Sequence, residues 1–124
     1  MELTKKLQFM RKNHIPDSWV ITPFHEITTE IGDGIHTTPK YVDHSEYYFI
    51  NGNNLNNGQI VINENTKFVS KSEHQKLKKK LNKNTILMSI NGTIGKLAFY
   101  NNEKVILGKS AAYISINPEI NKYF

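Results

Sequence analysis

The sequence predicts an α+β fold, a single globular domain with a mixed, mostly antiparallel sheet and a few short helices. Apolar segments alternate with turn residues through residues 86–116, which is typical of short strands joined by tight turns. Apolar residues recur at helical spacing in three short stretches, residues 2–12, 22–31 and 70–81. The 124 residues are enough for one domain with a hydrophobic core.

The first 14 residues are expected to form a lead-in helix ahead of a domain over residues 15–124. Leu3, Leu7 and Met10 share one face of this helix, with basic side chains opposite. Such a short helix either docks on its own domain or binds a partner, and docking is the commoner case. Pro16 ends the helix because the residue before a proline is driven to extended geometry. Residues 19–21 then favour a brief strand.

A second helix is expected to begin at Thr22, whose hydroxyl is a good cap, with Pro23 in the first turn. Gly32 ends this helix. Its predicted buried face consists of Phe24, Ile27 and Ile31.

Residues 33–46 read as a loop, and residues 47–50 as an apolar strand. The loop contributes three polar candidates for binding, His36, Thr38 and Lys40. His36 also raises the alternatives of a metal ligand or a general base. No H-x-x-x-H spacing accompanies it, so a hydrogen-bonded loop histidine is the favoured interpretation.

Residues 51–62 suggest two turns around Leu55 that lead into another strand, and they contribute Asn51 and Asn53 as polar candidates. Ser70 and Glu73 fit a capping box that opens a basic helix reaching Leu81. The lysines of this segment either form a solvated face or contact phosphates. They are Lys71, Lys76, Lys78, Lys79, Lys80 and Lys83.

Residues 86–116 are predicted to form a meander with a turn at Asn91-Gly92 and a second unusual backbone angle at Gly95. Gly108 to Ser110 resembles the end of a phosphate-binding loop, but that motif requires glycine where Glu103 stands. Residues 119–124 resemble the first turn of a further helix. The polar tips of the meander indicate a recognition surface made of Asn91, Thr93, Lys96, Lys109 and Ser110.

The composition favours a binding module over an enzyme. The net charge of +5 suits a polyanionic partner. The chain has no cysteine, no D/E-x-K sequence, no nucleophile elbow and no dinucleotide fingerprint, so we expect no catalytic residue, no metal and no cofactor. No stretch approaches the ~18 apolar residues of a membrane span, and no signal peptide is apparent. We therefore expect a cytoplasmic protein without a membrane partner.

Four segments in order resemble the target recognition domain of type I restriction-modification specificity subunits, the HsdS family. They are IPDSW at residues 15–19, IGDGIHTTPKY at 31–41, YFINGNNL at 48–55 and ILMSINGTIGKLA at 86–98. This resemblance implies that residues 15–124 are a DNA target recognition domain that reads one half of a bipartite site. It also implies a non-catalytic subunit that docks S-adenosylmethionine-dependent adenine methyltransferase subunits and restriction subunits.

The chain departs from that family by carrying a single recognition domain without the long connecting helix that normally follows. We therefore expect either a half or truncated specificity subunit, or a chain that pairs with another specificity fragment. The alternative is a protein-interaction fragment or an inert remnant that does not bind DNA alone.

The expected DNA contacts fall into two chemical classes, because phosphate contacts position a duplex and base contacts specify it. Cations for phosphates are Lys71, Lys96 and Lys109. Candidates for base edges are His36, Asn51, Asn53 and Asn91. Thr38, Lys40, Thr93 and Ser110 complete the predicted DNA-binding set, while glycines 34, 92 and 95 are expected to shape loops.

Overall fold

The computed structural model describes residues 16–124, and the lead-in helix predicted for residues 1–14 lies outside this range. The described chain contains ten strands, two α-helices and one single-turn 3-10 helix, which confirms the predicted α+β class. The α-helices are α1 (Phe24–Ile27) and α2 (Lys71–Leu77), and the 3-10 turn is Gly52–Asn54. The strands are β1 (Thr28–Asp33), β2 (Tyr41–Val42), β3 (Tyr47–Ile50), β4 (Leu55–Asn56), β5 (Gln59–Ile60), β6 (Lys67–Val69), β7 (Thr85–Ser89), β8 (Leu97–Phe99), β9 (Val105–Leu107) and β10 (Ala111–Ile116).

Two four-stranded sheets and one small ribbon organise these strands. The first sheet has the order β1-β10-β7-β8 and is antiparallel throughout. The second has the order β2-β6-β3-β9, and its β3–β9 pair is parallel. The ribbon joins β4 to β5. Strand pairing is therefore mixed but mostly antiparallel, as expected, although it is divided among three sheets.

The hydrophobic core joins the two large sheets. Every residue of β9 and of β10 is buried, although the two strands are consecutive and belong to different sheets. The chain changes sheets at residues 108–110, where Gly108 forms a parallel bridge with Ile35. Because the strands on both sides of this crossing are buried, both sheets depend on one core. The core cluster consists of Ile50, Leu55, Leu87, Ala98, Val105, Leu107, Ala111 and Tyr113.

The predicted meander of residues 86–116 is correct for three strands and wrong for the fourth. β7 and β8 form a hairpin, and β10 returns beside β7. β9, in contrast, leaves this sheet and pairs in parallel with β3. Its run of Val105, Ile106 and Leu107 is continuously apolar, which suits a strand buried on both faces rather than a half-exposed hairpin strand.

The helix predicted to run from residue 23 to Ile31 is largely wrong. α1 ends at Ile27, and the chain continues directly into β1, whose backbone pairs with β10. Phe24 and Ile31 are each 52% exposed instead of buried. Thr28 and Thr29 are β-branched and favour extended geometry, so pairing with β10 prevails over the helical spacing.

Two short terminal elements are also absent from the described residues. Residues 19–21 form no strand; Trp19 instead donates its backbone N–H to the Pro16 carbonyl across a turn, at 3.0 Å. Residues 119–124 form turns instead of the first turn of a helix, with Phe124 donating to the Asn121 carbonyl at 3.2 Å.

The basic helix is shorter than predicted, although its start is confirmed. The Ser70 hydroxyl accepts a hydrogen bond from the Glu73 N–H at 3.1 Å. The Glu73 carboxylate accepts from the Lys40 N–H at 2.6 Å, which ties the helix to the preceding loop. α2 ends at Leu77, and Lys78 is extended. Continuing the helix would place lysines 76, 79 and 80 at repulsive i, i+3 and i, i+4 spacings.

Candidate nucleic-acid interface

Three clefts meet at Asn51, which lines all of them. The first, of about 340 Å³, lies between the turn after β3 and the tip of the β7–β8 hairpin. The second, of about 240 Å³, lies beside the loop after β1. The third, of about 180 Å³, lies beside β2 and β6. Together they form one polar surface at the place where the chain crosses between the sheets.

The first cleft brings together six of the predicted DNA-binding residues from three separate parts of the chain. Gly52 and Gly92 complete its wall. The hairpin tip and the Asn51 turn meet here because β3 and β7 end, and β10 begins, at this side of the domain. The six residues are Asn51, Asn53, Asn91, Thr93, Lys96 and Ser110.

The second cleft brings His36, Thr38 and Lys109 against Asn51. The His36 Nε2 atom lies 2.6 Å from the Asp33 carboxylate, so one ring nitrogen already has a partner. This hydrogen bond lowers the pKa of Asp33 below its ordinary value. Both side chains are largely exposed. Lys40 and Lys71 line none of the three clefts and lie instead around the start of α2.

The third cleft contains polar residues that are not in the predicted DNA-binding set. Lys67 lies with its Nζ atom 5.9 Å from the centre of the Tyr41 ring. Asn63 and Asn65 lie in the turn before β6. Asparagine is so abundant in this chain that the sequence does not distinguish these two asparagines as candidates for binding. Phe49 also lines this cleft.

Asn51 is held in place by Ser110. The Ser110 hydroxyl lies 3.0 Å from the Asn51 Oδ1 atom, to which it donates, and it accepts from the Gly52 N–H at 2.8 Å. A Cβ atom at position 108 would lie 2.0 Å from Asn51 Oδ1, so a larger residue there would displace the Asn51 side chain. Asn51 and Ser110 therefore form the floor of the first cleft. Asn53 is exposed beside them.

The hairpin tip is fixed from below by Ser89, which is completely buried. Its hydroxyl donates to the Thr93 carbonyl at 2.6 Å and accepts from the Lys96 N–H at 2.9 Å. The Gly95 N–H donates to the Ser89 carbonyl at 2.9 Å. Gly92 and Gly95 have φ values of +73° and +93°, which the turn requires. Hydrogen bonds to Ser89 therefore hold the backbone of the tip at Thr93, Gly95 and Lys96.

The surface around Asn51 is cationic. Within residues 16–124 the ion pairs are His36–Asp33 and Lys104–Glu46, so Lys67, Lys96 and Lys109 have no acidic partner there. None of the described residues that line the three clefts is acidic. Unpaired ammonium groups beside amide side chains are suited to a ligand that carries both negative charge and hydrogen-bonding edges.

A larger cleft, of about 680 Å³, lies elsewhere and contains none of the predicted DNA-binding residues. Phe99, Tyr123 and Lys122 form part of its wall. Across the described range no group of three or more histidine, aspartate or glutamate side chains is placed to hold a metal. No helix in that range is both long and apolar enough to cross a membrane.

Comparison of the sequence with known protein families and with curated proteins found no match.

Proposed function

We propose that this chain is a non-catalytic reader of double-stranded DNA that recognises one half of a bipartite target. The observation that carries the proposal is the meeting of three clefts at Asn51. Asparagine amides share this surface with lysines that have no acidic partner among residues 16–124, and none of those residues that line the clefts is acidic. The resemblance to specificity subunits of type I restriction-modification systems supports the same function.

The two kinds of side chain supply the two parts of DNA recognition. Lys67, Lys96 and Lys109 neutralise phosphates, which gives affinity that is independent of sequence. Asn53 presents an amide group that matches the donor and acceptor edge of adenine in the major groove. Asn91, whose oxygen accepts from the Gly92 N–H at 2.9 Å, offers its amide N–H groups to a base edge. Asn51, whose oxygen already accepts from Ser110, acts mainly by positioning its neighbours.

In this proposal the chain works with other proteins in the cytoplasm. A type I methyltransferase subunit would modify the target, and a restriction subunit would cleave unmodified DNA. A second specificity fragment would read the other half of the site. Each of these partners rests on the family resemblance.

The first test is to incubate the purified chain with a pool of random duplexes at two salt concentrations and to sequence the retained DNA. We expect enrichment of a short motif and weaker retention at higher salt. The variants Lys96→Gln and Lys109→Gln should each reduce the log–log salt slope by about 0.9, because each loses one phosphate contact. Lys83→Gln, an exposed lysine in the larger cleft, serves as the matched control.

Two results would contradict the proposal. The first is that the folded chain retains no DNA at low salt, which would show that it does not recognise DNA by itself. Equal salt slopes for the parent, Lys96→Gln and Lys109→Gln would show that the surface around Asn51 does not face the phosphates.

One observation favours a second function, which is docking of a protein partner. Trp19 and Phe124 are 51% and 90% exposed and stack edge to face at 5.5 Å. Exposed aromatic groups of this kind are enriched at protein interfaces. Recovery of a methyltransferase subunit by a folded chain that ignores DNA would favour this second function over the first.

A further inference from the structure

Ile94 is an apolar residue at the tip of the β7–β8 hairpin, on the surface proposed to face DNA. It is 72% exposed, and its chain neighbours Thr93 and Gly95 are exposed as well. Lys96 and Asn91 lie within three residues of it and line the first cleft. The Ile94 side chain lies outside the core and is available to contact a ligand that binds the polar groups around it.

The hairpin holds Ile94 outward in a fixed position. The buried Ser89 hydroxyl bonds the backbone on both sides of Ile94, through the Thr93 carbonyl and the Lys96 N–H. The Gly95 N–H closes the turn onto the Ser89 carbonyl. Because these bonds fix the backbone before any ligand arrives, little ordering would be needed on binding.

We propose that Ile94 is a specificity-determining residue that contacts the C5-methyl group of a thymine in the major groove. This inference rests on the proposed DNA-reading function. The major groove admits a two-stranded β-ribbon, and the thymine methyl is the apolar group that its floor presents to a side chain. Lys96 contacts a flanking phosphate, and Asn91 contacts the edge of a neighbouring base. Ile94 thereby distinguishes thymine from cytosine, which lacks the methyl group.

The test uses the duplex motif that the full chain retains from the random pool. Each thymine of the motif is replaced in turn by uracil, which removes only the methyl group, and the dissociation constant is measured. For the parent chain we expect one position at which the replacement weakens binding about fourfold, the value for one buried methyl-sized group. For Ile94→Ala we expect the same replacement to have no effect.

The matched control is Val20→Ala, which removes an equally exposed apolar side chain outside the clefts. This variant should keep the full response to uracil. The unfolding midpoint of Ile94→Ala should equal that of the parent, because the side chain packs on little, and this separates a reading role from a structural one.

The inference would be overturned if a selected motif bound equally well with uracil at every thymine position, or if Ile94→Ala kept the full uracil response. Loss of a protein partner from Ile94→Ala with DNA binding intact would overturn it in favour of a protein contact. Absence of any DNA retention by the folded parent would overturn the proposed function itself, and with it this inference. The first two results leave the proposed function standing.

Discussion

Glycine serves two different purposes around the clefts that meet at Asn51. A side chain at Gly34 would meet the Gly108 carbonyl oxygen at 2.0 Å, so that position requires glycine for close backbone packing. Gly92 has open space around it, but its φ of +73° lies in the left-handed region. The first glycine lets the loop after β1 approach the chain crossing, and the second shapes the hairpin tip.

These two causes predict different losses of stability. Gly34→Ala should lower the free energy of unfolding by about 3 kcal/mol, because two backbone segments must separate. Gly92→Ala should lower it by about 1 kcal/mol, because only a local backbone preference is violated. Urea unfolding of the two variants beside the parent measures both values. Equal losses in the two variants would contradict the close packing at Gly34.

At the scale of single elements, α2 packs on the second sheet through His74. The His74 ring lies 4.9 Å from the Tyr47 ring of β3. Burial lowers the pKa of His74 below 6.5, and the positive charges of Lys78 and Lys104 lower it further. The folded state therefore favours the neutral imidazole.

This preference predicts loss of stability in acid. The contribution of neutral His74 is fully present above pH 6.5, and it is lost as the pH falls through the lowered pKa of the folded state. His74→Gln cannot gain this proton, so its stability should fall less than that of the parent between pH 7.5 and pH 5. Urea unfolding across this range measures the difference. His25→Gln, at an exposed histidine, should behave as the parent does.

An equally steep loss in His74→Gln and in the parent would show that other groups dominate the acid response. Asp33 is not one of these groups between pH 7.5 and pH 5, although its pKa is lowered as well, by the hydrogen bond to His36. The contribution of Asp33 is lost at a lower pH than that of His74, because an aspartate with a lowered pKa stays charged below 3.8.

At the scale of the whole molecule, the two large sheets share one core through β9 and β10. Leu107 is completely buried in this core, on the strand that pairs with β3 and directly before the crossing into β10. Ile31 lies on the outer strand β1 and is half exposed. Shortening the side chain should therefore lower the free energy of unfolding more at Leu107 than at Ile31.

We expect Leu107→Ala to lower the free energy of unfolding by about 2–5 kcal/mol, the range for a buried leucine replaced by alanine. Ile31→Ala should lower it by less than about 1 kcal/mol. Both variants should unfold in one transition, with coincident curves in near-UV and far-UV circular dichroism, because the sheets cannot separate without exposing the shared core. Two resolved transitions would show that each sheet is stable alone.

Features that depend on neighbouring residues can be predicted from the sequence alone. The fold class, the strand at Tyr47–Ile50, the left-handed backbone at Gly92 and Gly95 and the Ser70 cap follow from local spacing and turn chemistry. The same local signals predicted polar residues in the turns between strands, and six of these residues line one cleft. Their roles in DNA binding stay predictions.

Features that depend on distant partners are set by the tertiary fold. β1 is a strand because it pairs with β10, more than 70 residues further along the chain, and that pairing prevails over a helical pattern. β9 belongs to the second sheet because its continuously apolar residues pair in parallel with β3 and are buried there. The three clefts meet at Asn51 because segments that are distant in the sequence converge there. Residue spacing along the chain does not predict this convergence, nor does it predict that Ile94 is exposed.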